Sequence, residues 1–165
     1  MIIAVIPAYR ASKTIGQVVE GALEVCDHVV VVDDNCPENT GRVVDGKHPN
    51  LTTIFRADNG GVGAATKTGV IQALELGAEV IVKLDSDGQM NPALIPTLVH
   101  PITRGLADFS KGTRFDSPED LEGMPKTRLL GNAALSLINK FTSGYWTVND
   151  PTNGFIAFSR GFASE

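Results

Sequence analysis

The sequence lacks a long hydrophobic run, an excess of basic residues and a cysteine-rich segment. No apolar stretch is long enough to predict a membrane-spanning helix. The formal net charge is −5, which gives no support to nucleic-acid binding. The two cysteines, Cys26 and Cys36, form no Cys-x-x-Cys pair and lie beside no histidine at metal-ligand spacing. We therefore expect reduced thiols, a cytoplasmic setting and no nucleic-acid partner.

The composition is that of an ordinary globular domain. Hydrophobic residues make up 42% of the 165 residues and charged residues 20%, which argues against disorder. This length predicts one domain with a substantial core. The apolar run that follows Met1 has no basic flank and is too short for a signal peptide, so it is interpreted as the first strand.

Short β-branched runs alternate with segments of helical periodicity along the chain. Strands are predicted at residues 2–6, 28–32, 51–55, 80–84, 107–111 and 155–158. Helices are predicted after an N-cap at Ser12 and at residues 40–45, 64–76, 93–99 and 127–142, with a polar loop at 116–125. Such alternation is typical of βαβ units, so the sequence predicts an α/β fold with a mainly parallel sheet.

Two aspartates flank a serine directly after the apolar strand at 80–84. Asp85 and Asp87 are therefore expected at the carboxyl edge of the sheet, where α/β proteins bind ligands. Residues two apart in an extended chain point the same way, so their like charges favour a cation between them. Hard oxygen ligands suit Mg²⁺ or Mn²⁺, and Gln89 would add a carbonyl oxygen. A solvated acidic turn is the alternative interpretation.

The glycine-rich stretch 58–63 nearly matches two phosphate-binding motifs. Together with residues 64–68 it resembles a P-loop and a dinucleotide fingerprint, but Thr66 stands where each motif requires glycine. It also follows the third strand rather than the first. Both motifs are rejected, and the glycines are expected to let a tight loop enter a helix whose N-terminus faces the site.

In combination, these segments resemble family 2 glycosyltransferases, and more closely the dolichol- and polyprenol-phosphate sugar transferases. The residues that carry the resemblance occur in the family's order: Ile6-Pro7-Ala8-Tyr9, Val31-Val32-Asp33-Asp34-Asn35, Asn59-Gly60-Gly61-Val62-Gly63-Ala64-Ala65, Asp85-Ser86-Asp87-Gly88-Gln89, Gly112-Thr113-Arg114, Arg128 with Asn132, and Asp150-Pro151-Thr152-Asn153-Gly154-Phe155.

The resemblance implies a fold and a reaction. The fold would be of the GT-A type, which is Rossmann-like with a mainly parallel sheet flanked by helices, in a single catalytic domain over residues 1–165. The reaction would be metal-dependent, inverting transfer of a sugar, mannose or glucose, from a GDP- or UDP-linked nucleotide sugar. The acceptor would be a polyprenyl or dolichyl phosphate.

The resemblance also assigns roles to individual residues. The nucleotide would be bound by Pro7, Tyr9, Val32, Asp34, Gly63, Asp85 and Ser86. The Mg²⁺ or Mn²⁺ would be held by Asp85, Asp87 and Gln89. Catalytic roles fall to Asp87, Asp150, Arg114 and Arg128, with the arginines gripping phosphate oxygens and Asp150 positioning or deprotonating the acceptor. The alternative to a catalytic role is a surface salt bridge for each of the two arginines, and a purely structural place in a turn for Asp150. Capping is favoured for Asp33.

The chain departs from the family pattern at two motifs. The usual Asn-Glu after Pro-x-Tyr is Arg10-Ala11, so recognition of the base or ribose is expected to differ. The usual Gly-Ser after the paired aspartates is Asn35-Cys36.

Family members continue beyond the last strand with helices that are often membrane-associated. We therefore expect a member shortened at its C-terminus, which acts at the cytoplasmic face of a membrane through segments absent here. Its last strand would expose an apolar patch that favours homo-oligomers.

Two alternatives to a glycosyltransferase stay open. A nucleotidyltransferase also uses an α/β sheet and acidic metal ligands, but it would want a basic glycine-rich loop where Pro7-Ala8-Tyr9 stands. A non-catalytic nucleotide-sugar-binding domain is the other.

Overall fold

A six-stranded sheet forms the centre of the computed structural model, which describes residues 1–112 and 153–164. The strand order is β3-β2-β1-β4-β6-β5. The strands are β1 Ile2–Ala8, β2 His28–Asp33, β3 Leu51–Phe55, β4 Val80–Lys83, β5 Phe109–Lys111 and β6 Ile156–Ser159. β1 is parallel to β2 and β4, and β2 to β3, whereas β6 runs antiparallel to β4. The predicted α/β fold with a mainly parallel sheet is confirmed.

Helices cover both faces of this sheet. They are α1 Ile15–Leu23, α2 Gly61–Glu75, α3 Ile95–Thr103 and α4 Arg160–Ala163, with short 3₁₀ turns at Thr40–Val43 and Pro92–Leu94. Alternate residues of β1, β2 and β4 pack against α1 and α3 on one face and against α2 on the other, in two hydrophobic clusters. Burial on both faces explains why these strands are continuous apolar runs.

Two helix starts differ from the predictions. α1 begins at Ile15 rather than after Ser12, whose hydroxyl instead donates to Glu38 Oε2 at 3.2 Å. α2 begins at Gly61, so Gly61 and Gly63 lie in its first turn and not in a loop, and Gly60 is the N-cap residue. Both starts are set by contacts with distant loops, which local periodicity does not report.

The packing face of α2 also differs from the prediction. Its buried residues are Ala65, Gly69 and Ala73, spaced four apart. The helical spacing of Val70, Ile71, Ala73 and Leu74 predicts that these residues face inward, yet 49% of Ile71 is exposed. The helix therefore packs on the sheet through small residues. A prediction based on the positions of large apolar residues does not identify such a face.

Gly69 is the point at which α2 comes closest to the sheet. A Cβ atom added there would lie 2.4 Å from Val5 Cγ1 and 3.1 Å from Val32 Cγ2. Because both neighbours are buried β-branched side chains, they have little room to move.

Replacing Gly69 with alanine should lower the free energy of unfolding by about 1–3 kcal/mol through overpacking. The sign is informative, because alanine is normally better than glycine in a helix by about 1 kcal/mol. Gly63→Ala in the same helix is the matched control, since no described atom lies within 4 Å of a Cβ placed there. Urea unfolding followed by circular dichroism measures both. An unchanged or raised stability of Gly69→Ala would contradict the close approach.

The last strand is not the exposed apolar strand that was expected. Ala157 and Phe158 are buried, because β6 lies between β4 and β5. Near β6, the side chains of Phe109 and Phe162 are exposed, and their ring centroids are 5.5 Å apart. Within residues 1–112 and 153–164, no helix combines the length and apolar character needed to cross a bilayer.

The chain divides into two compact units. One comprises Met1–Ser110 with Phe155–Glu165, and the other comprises Lys111–Gly154. In the second unit, Asn153 Nδ2 donates to the carbonyl oxygen of Gly112 at 2.9 Å. The single catalytic domain over residues 1–165 stays a prediction.

Candidate nucleotide and metal site

A cavity of about 320 Å³ opens at the carboxyl edge of β1, β2 and β4. The carboxyl ends of these parallel strands meet at one edge, which brings together motifs that are far apart in the sequence. The lining residues are Pro7, Ala8, Tyr9, Asp34, Asn59, Gly61, Val62, Ala65, Asp85, Ser86 and Asp87.

The turn after β1 presents Tyr9 at this cavity. Arg10, the next residue, has the left-handed φ of +53°, which is unfavourable for a side chain of its kind. Its backbone N–H donates to Cys36 Sγ at 3.0 Å, and that of Ala11 donates to Thr40 Oγ1 at 3.1 Å. These bonds hold the strained turn, and the Arg10 guanidinium lies 5.4 Å from the centre of the Tyr9 ring.

The two cysteines have opposite electrostatic environments. Burial, reinforced by Asp27, raises the pKa of the Cys26 thiol to about 12. Burial also acts to raise the pKa of Cys36. Hydrogen bonds from the Thr40 hydroxyl and from the backbone of Arg10, Thr40 and Glu38 outweigh that effect, so the pKa is lowered. Cys36 is thus an acceptor within the network that holds the Tyr9 turn, which the sequence analysis did not anticipate.

The paired aspartates after β2 have different structural roles. Asp33 Oδ1 accepts the N–H of Cys36 at 2.7 Å, and its Oδ2 accepts that of Gly41 at 2.6 Å. Asp33 therefore organises the loop that follows β2, in agreement with the capping role favoured from the sequence.

Asp34 joins the cavity wall to the N-terminus of α2. It is buried, and its two oxygens accept the backbone N–H groups of Gly60 at 3.1 Å and Gly61 at 2.7 Å. Arg56 Nη1 lies 3.3 Å from its Oδ1. The carboxylate thus stabilises the positive end of the helix dipole and pairs with a cation. Asp34 was predicted to bind base or ribose. Because both of its carboxylate oxygens already accept backbone N–H groups, the contacts favour a role in positioning α2.

The aspartate triplet forms the opposite wall. Asp85 is partly exposed and forms an ion pair with Lys83 Nζ. Asp87 is exposed, and its Oδ1 accepts the backbone N–H of Gln89 at 3.0 Å. The turn depends on Gly88, whose φ is +78°.

Thr14, at the start of α1, fixes this turn from the side. Its hydroxyl donates to the carbonyl oxygen of Ser86 at 2.7 Å. The first turn of α1 is thereby tied to the triplet.

The carboxylates of the cavity fit a metal ion that is also coordinated by the phosphates of a bound substrate. In the described part of the chain, no group of three or more carboxylate, imidazole or thiol side chains could hold a metal by itself. Asp85 and Asp87 line one cavity, and Mg²⁺ is commonly bound by one or two carboxylates together with substrate phosphates. Gln89 is exposed and is not among the described residues that line the cavity, so its placement gives no support to a third ligand.

Most of the predicted nucleotide residues meet in this cavity. Five line it: Pro7, Tyr9, Asp34, Asp85 and Ser86. Val32 is instead wholly buried, because it faces α2 and packs in the core with Val5 and Ala65. Gly63 is exposed in the first turn of α2, and Gly61 lines the cavity in its place. The predicted Arg114, Arg128 and Asp150 lie outside the described residues.

Five lining residues were not predicted: Ala8, Asn59, Gly61, Val62 and Ala65. The four-residue spacing of Gly61 and Ala65 on α2 is the signal that could have identified two of them.

A second cavity, of about 400 Å³, adjoins the first and shares Tyr9, Ser86 and Asp87 with it. Arg10 and Ala11 line this second cavity and are not among the described residues of the first. Arg10-Ala11, which stands where the family has Asn-Glu, therefore lines the second cavity, and Asp34 is not among the described lining residues of that cavity.

Comparison with known proteins identifies the family. The model for glycosyl transferase family 2 matches residues 3–165. The chain belongs to glycosyl transferase family 2. This confirms the resemblance drawn from the strand-end motifs, and with it the assignment to a family of glycosyltransferases.

Named relatives are similar over nearly the whole chain. Over 97% of its length it is 34% identical to UDP-N-acetylglucosamine–dolichyl-phosphate N-acetylglucosaminyltransferase of Methanococcus voltae, and it spans 70% of that protein. Over 96% of its length it is 27% identical to the polyprenol monophosphomannose synthase of Mycolicibacterium smegmatis, and it spans 61% of that protein.

A solved structure supports the fold. Mannosyl-3-phosphoglycerate synthase from Rubrobacter xylanophilus matches with a TM-score of 0.72 at 18% identity, over 98% of this chain and 54% of that one. The predicted GT-A type of fold is confirmed.

Proposed function

We propose that this chain binds a nucleotide sugar and transfers its sugar, with inversion, to a polyprenyl phosphate with the help of Mg²⁺ or Mn²⁺. The carrying observation is the cavity at the carboxyl edge of the sheet. The ring of Tyr9 and the α2 terminus held by Asp34 form one side, and Asp85 and Asp87 form the other. An aromatic face and a paired carboxylate site are what a base and a cation-bound diphosphate need.

The residues of the cavity divide the binding work. The exposed ring of Tyr9 offers a stacking surface for a base, and the small Gly61 and Ala65 leave room beside it. Asp85 and Asp87 would hold the metal, which, when bound, neutralises charge on the departing nucleoside diphosphate. The arginines Arg114 and Arg128 are proposed to grip phosphate, and Asp150 to position the acceptor.

The donor and acceptor follow from the relatives as a proposal. The Methanococcus voltae protein is named for a UDP-linked N-acetylglucosamine and the mycobacterial one for mannose, and both names contain a polyprenol-type lipid. We therefore propose a uridine-linked donor, because the first of these relatives has the higher identity, and a polyprenyl phosphate acceptor at the cytoplasmic face of a membrane. The sugar is proposed to be a hexose or an N-acetylhexosamine.

Calorimetric titration with UDP and GDP, each in Mn²⁺ and in EDTA, tests the donor side. We expect UDP to bind more tightly than GDP, and at least roughly tenfold more tightly with Mn²⁺ than with EDTA. Transfer from radiolabelled UDP-N-acetylglucosamine or GDP-mannose to a short-chain polyprenyl phosphate tests the acceptor. A protein that binds neither nucleotide in Mn²⁺ would refute the proposal. Tighter binding of GDP would change the donor alone.

A further inference from the structure

Lys83 is a buried lysine in the strand that leads to the aspartate triplet. Only 8% of the residue is exposed. In the sheet it pairs with Val5 of β1 on one side and with Ile156 of β6 on the other. A buried ammonium group between apolar neighbours is strongly unfavourable without an anionic partner. Its position in the strand therefore requires such a partner, and the partner is part of the site.

That partner is Asp85. Lys83 Nζ contacts Asp85 Oδ1 in an ion pair, because residues two apart in an extended strand point to the same face. The Asp85 side chain remains 32% exposed and lines the cavity. One carboxylate oxygen is thus committed to the lysine, while the other is left for a ligand.

The ion pair changes the charge that the site presents. Asp85 and Asp87 together carry two negative charges, and the Lys83 ammonium reduces the sum to about one. A divalent cation approaching the protein without nucleotide meets this weaker attraction and a competing cation at Oδ1. A nucleoside diphosphate brings further negative charge, which favours the metal again.

We propose that Lys83 is the internal counter-cation of the Asp85–Asp87 pair and couples metal binding to nucleotide binding. Lys83 holds Asp85 in place and keeps the site weak for a bare divalent metal, so that metal and diphosphate bind together. It is a positioning residue that acts through Asp85. This inference rests on the proposed function, because the coupling needs a diphosphate ligand.

Mn²⁺ titration followed by electron paramagnetic resonance, with and without UDP, tests the coupling. Lys83→Met and Lys83→Gln both remove the charge, and the glutamine variant retains a hydrogen-bond donor. In the absence of nucleotide, we expect the Mn²⁺ affinity of both variants to exceed that of the wild type by a factor of about ten or more. Where the Mn²⁺ affinity of the UDP complex is unchanged, reciprocal linkage requires the gain in UDP affinity caused by Mn²⁺ to shrink by the same factor.

Two variants serve as controls. Lys47→Met removes one charge from an exposed position before β3, and it should bind Mn²⁺ as the wild type does. Lys83→Arg keeps the charge and should retain weak Mn²⁺ binding without nucleotide. A purely structural role of Lys83 would lower the folded fraction of the neutral variants without tightening metal binding.

The outcomes separate this inference from the proposed function. Folded neutral variants that bind Mn²⁺ no more tightly than the wild type would overturn it. If neither neutral variant folds, the wild type decides: equal Mn²⁺ affinity with and without UDP overturns it, and tighter binding with UDP supports it. Absence of any UDP binding would instead refute the proposed function, and the comparison of Mn²⁺ affinities without nucleotide would still decide the role of Lys83.

Discussion

Replacing Asp34 with alanine should destabilise the protein by about 3 kcal/mol, which is the lower end for breaking a buried ion pair. The change leaves the Arg56 guanidinium without its carboxylate and the N–H groups of Gly60 and Gly61 without their acceptor. The lower end applies because 23% of the Arg56 side chain is exposed and water can solvate part of it. Urea unfolding measures the loss.

Two further variants make the result for Asp34 specific. Asp34→Asn keeps the shape and one carbonyl acceptor but loses the charge, so we expect a loss of roughly 1–2 kcal/mol. Asp45→Ala breaks another Arg–Asp pair, with Arg42, but both partners are exposed, and we expect a change within about 0.5 kcal/mol. If Asp34→Ala lowered the free energy of unfolding as little as Asp45→Ala, the contacts of Asp34 with Arg56 and the N-terminus of α2 would not stabilise the protein as described.

Replacing Asp34 with alanine or with asparagine should also weaken nucleotide binding. Gly61 is both a donor to Asp34 and a lining residue of the cavity, so the helix start and the cavity wall move together. Calorimetry on Asp34→Asn, at a temperature at which it is fully folded, separates this effect from unfolding.

Asp87→Ala should weaken Mn²⁺-dependent UDP binding about a hundredfold or more, because we propose Asp87 as a direct metal ligand and the loss of a ligand should weaken binding at least as much as the loss of a residue that supports one. Its effect on stability should stay within about 0.5 kcal/mol, as for other exposed positions. Asp87 is exposed, and its contact with the Gln89 N–H is at the surface. Removing its charge also relieves repulsion with Asp85. Calorimetric titration of UDP in Mn²⁺ and in EDTA measures the effect.

The EDTA titration is the internal control for this prediction. Without metal, the wild type and Asp87→Ala should bind UDP with similar weak affinity. Asp45→Ala removes the same charge from a residue that is not among the described lining residues, and it should behave as the wild type in both conditions. An Asp87→Ala protein that keeps its Mn²⁺ dependence would show that the metal, if it binds, is held elsewhere.

The sequence by itself determined the sheet and the edge at which the site lies. The runs of valine and isoleucine in β1, β2 and β4 are buried on both faces, and such runs can hardly form anything but central parallel strands. The polar residues that end these runs must then meet at one edge. Together with the family resemblance, this edge predicts that Tyr9, Asp34, Asp85 and Asp87 belong to one site, and all four line the cavity.

Only the tertiary structure decided which partners these side chains have. Val32 faces the core because α2 covers that face of β2, and Gly61 lines the cavity because α2 starts two residues before Gly63. Asp34 binds a helix terminus 26 residues away. Local patterns follow the 2.0 and 3.6 periods of strand and helix, whereas these contacts depend on how the helices pack on the sheet.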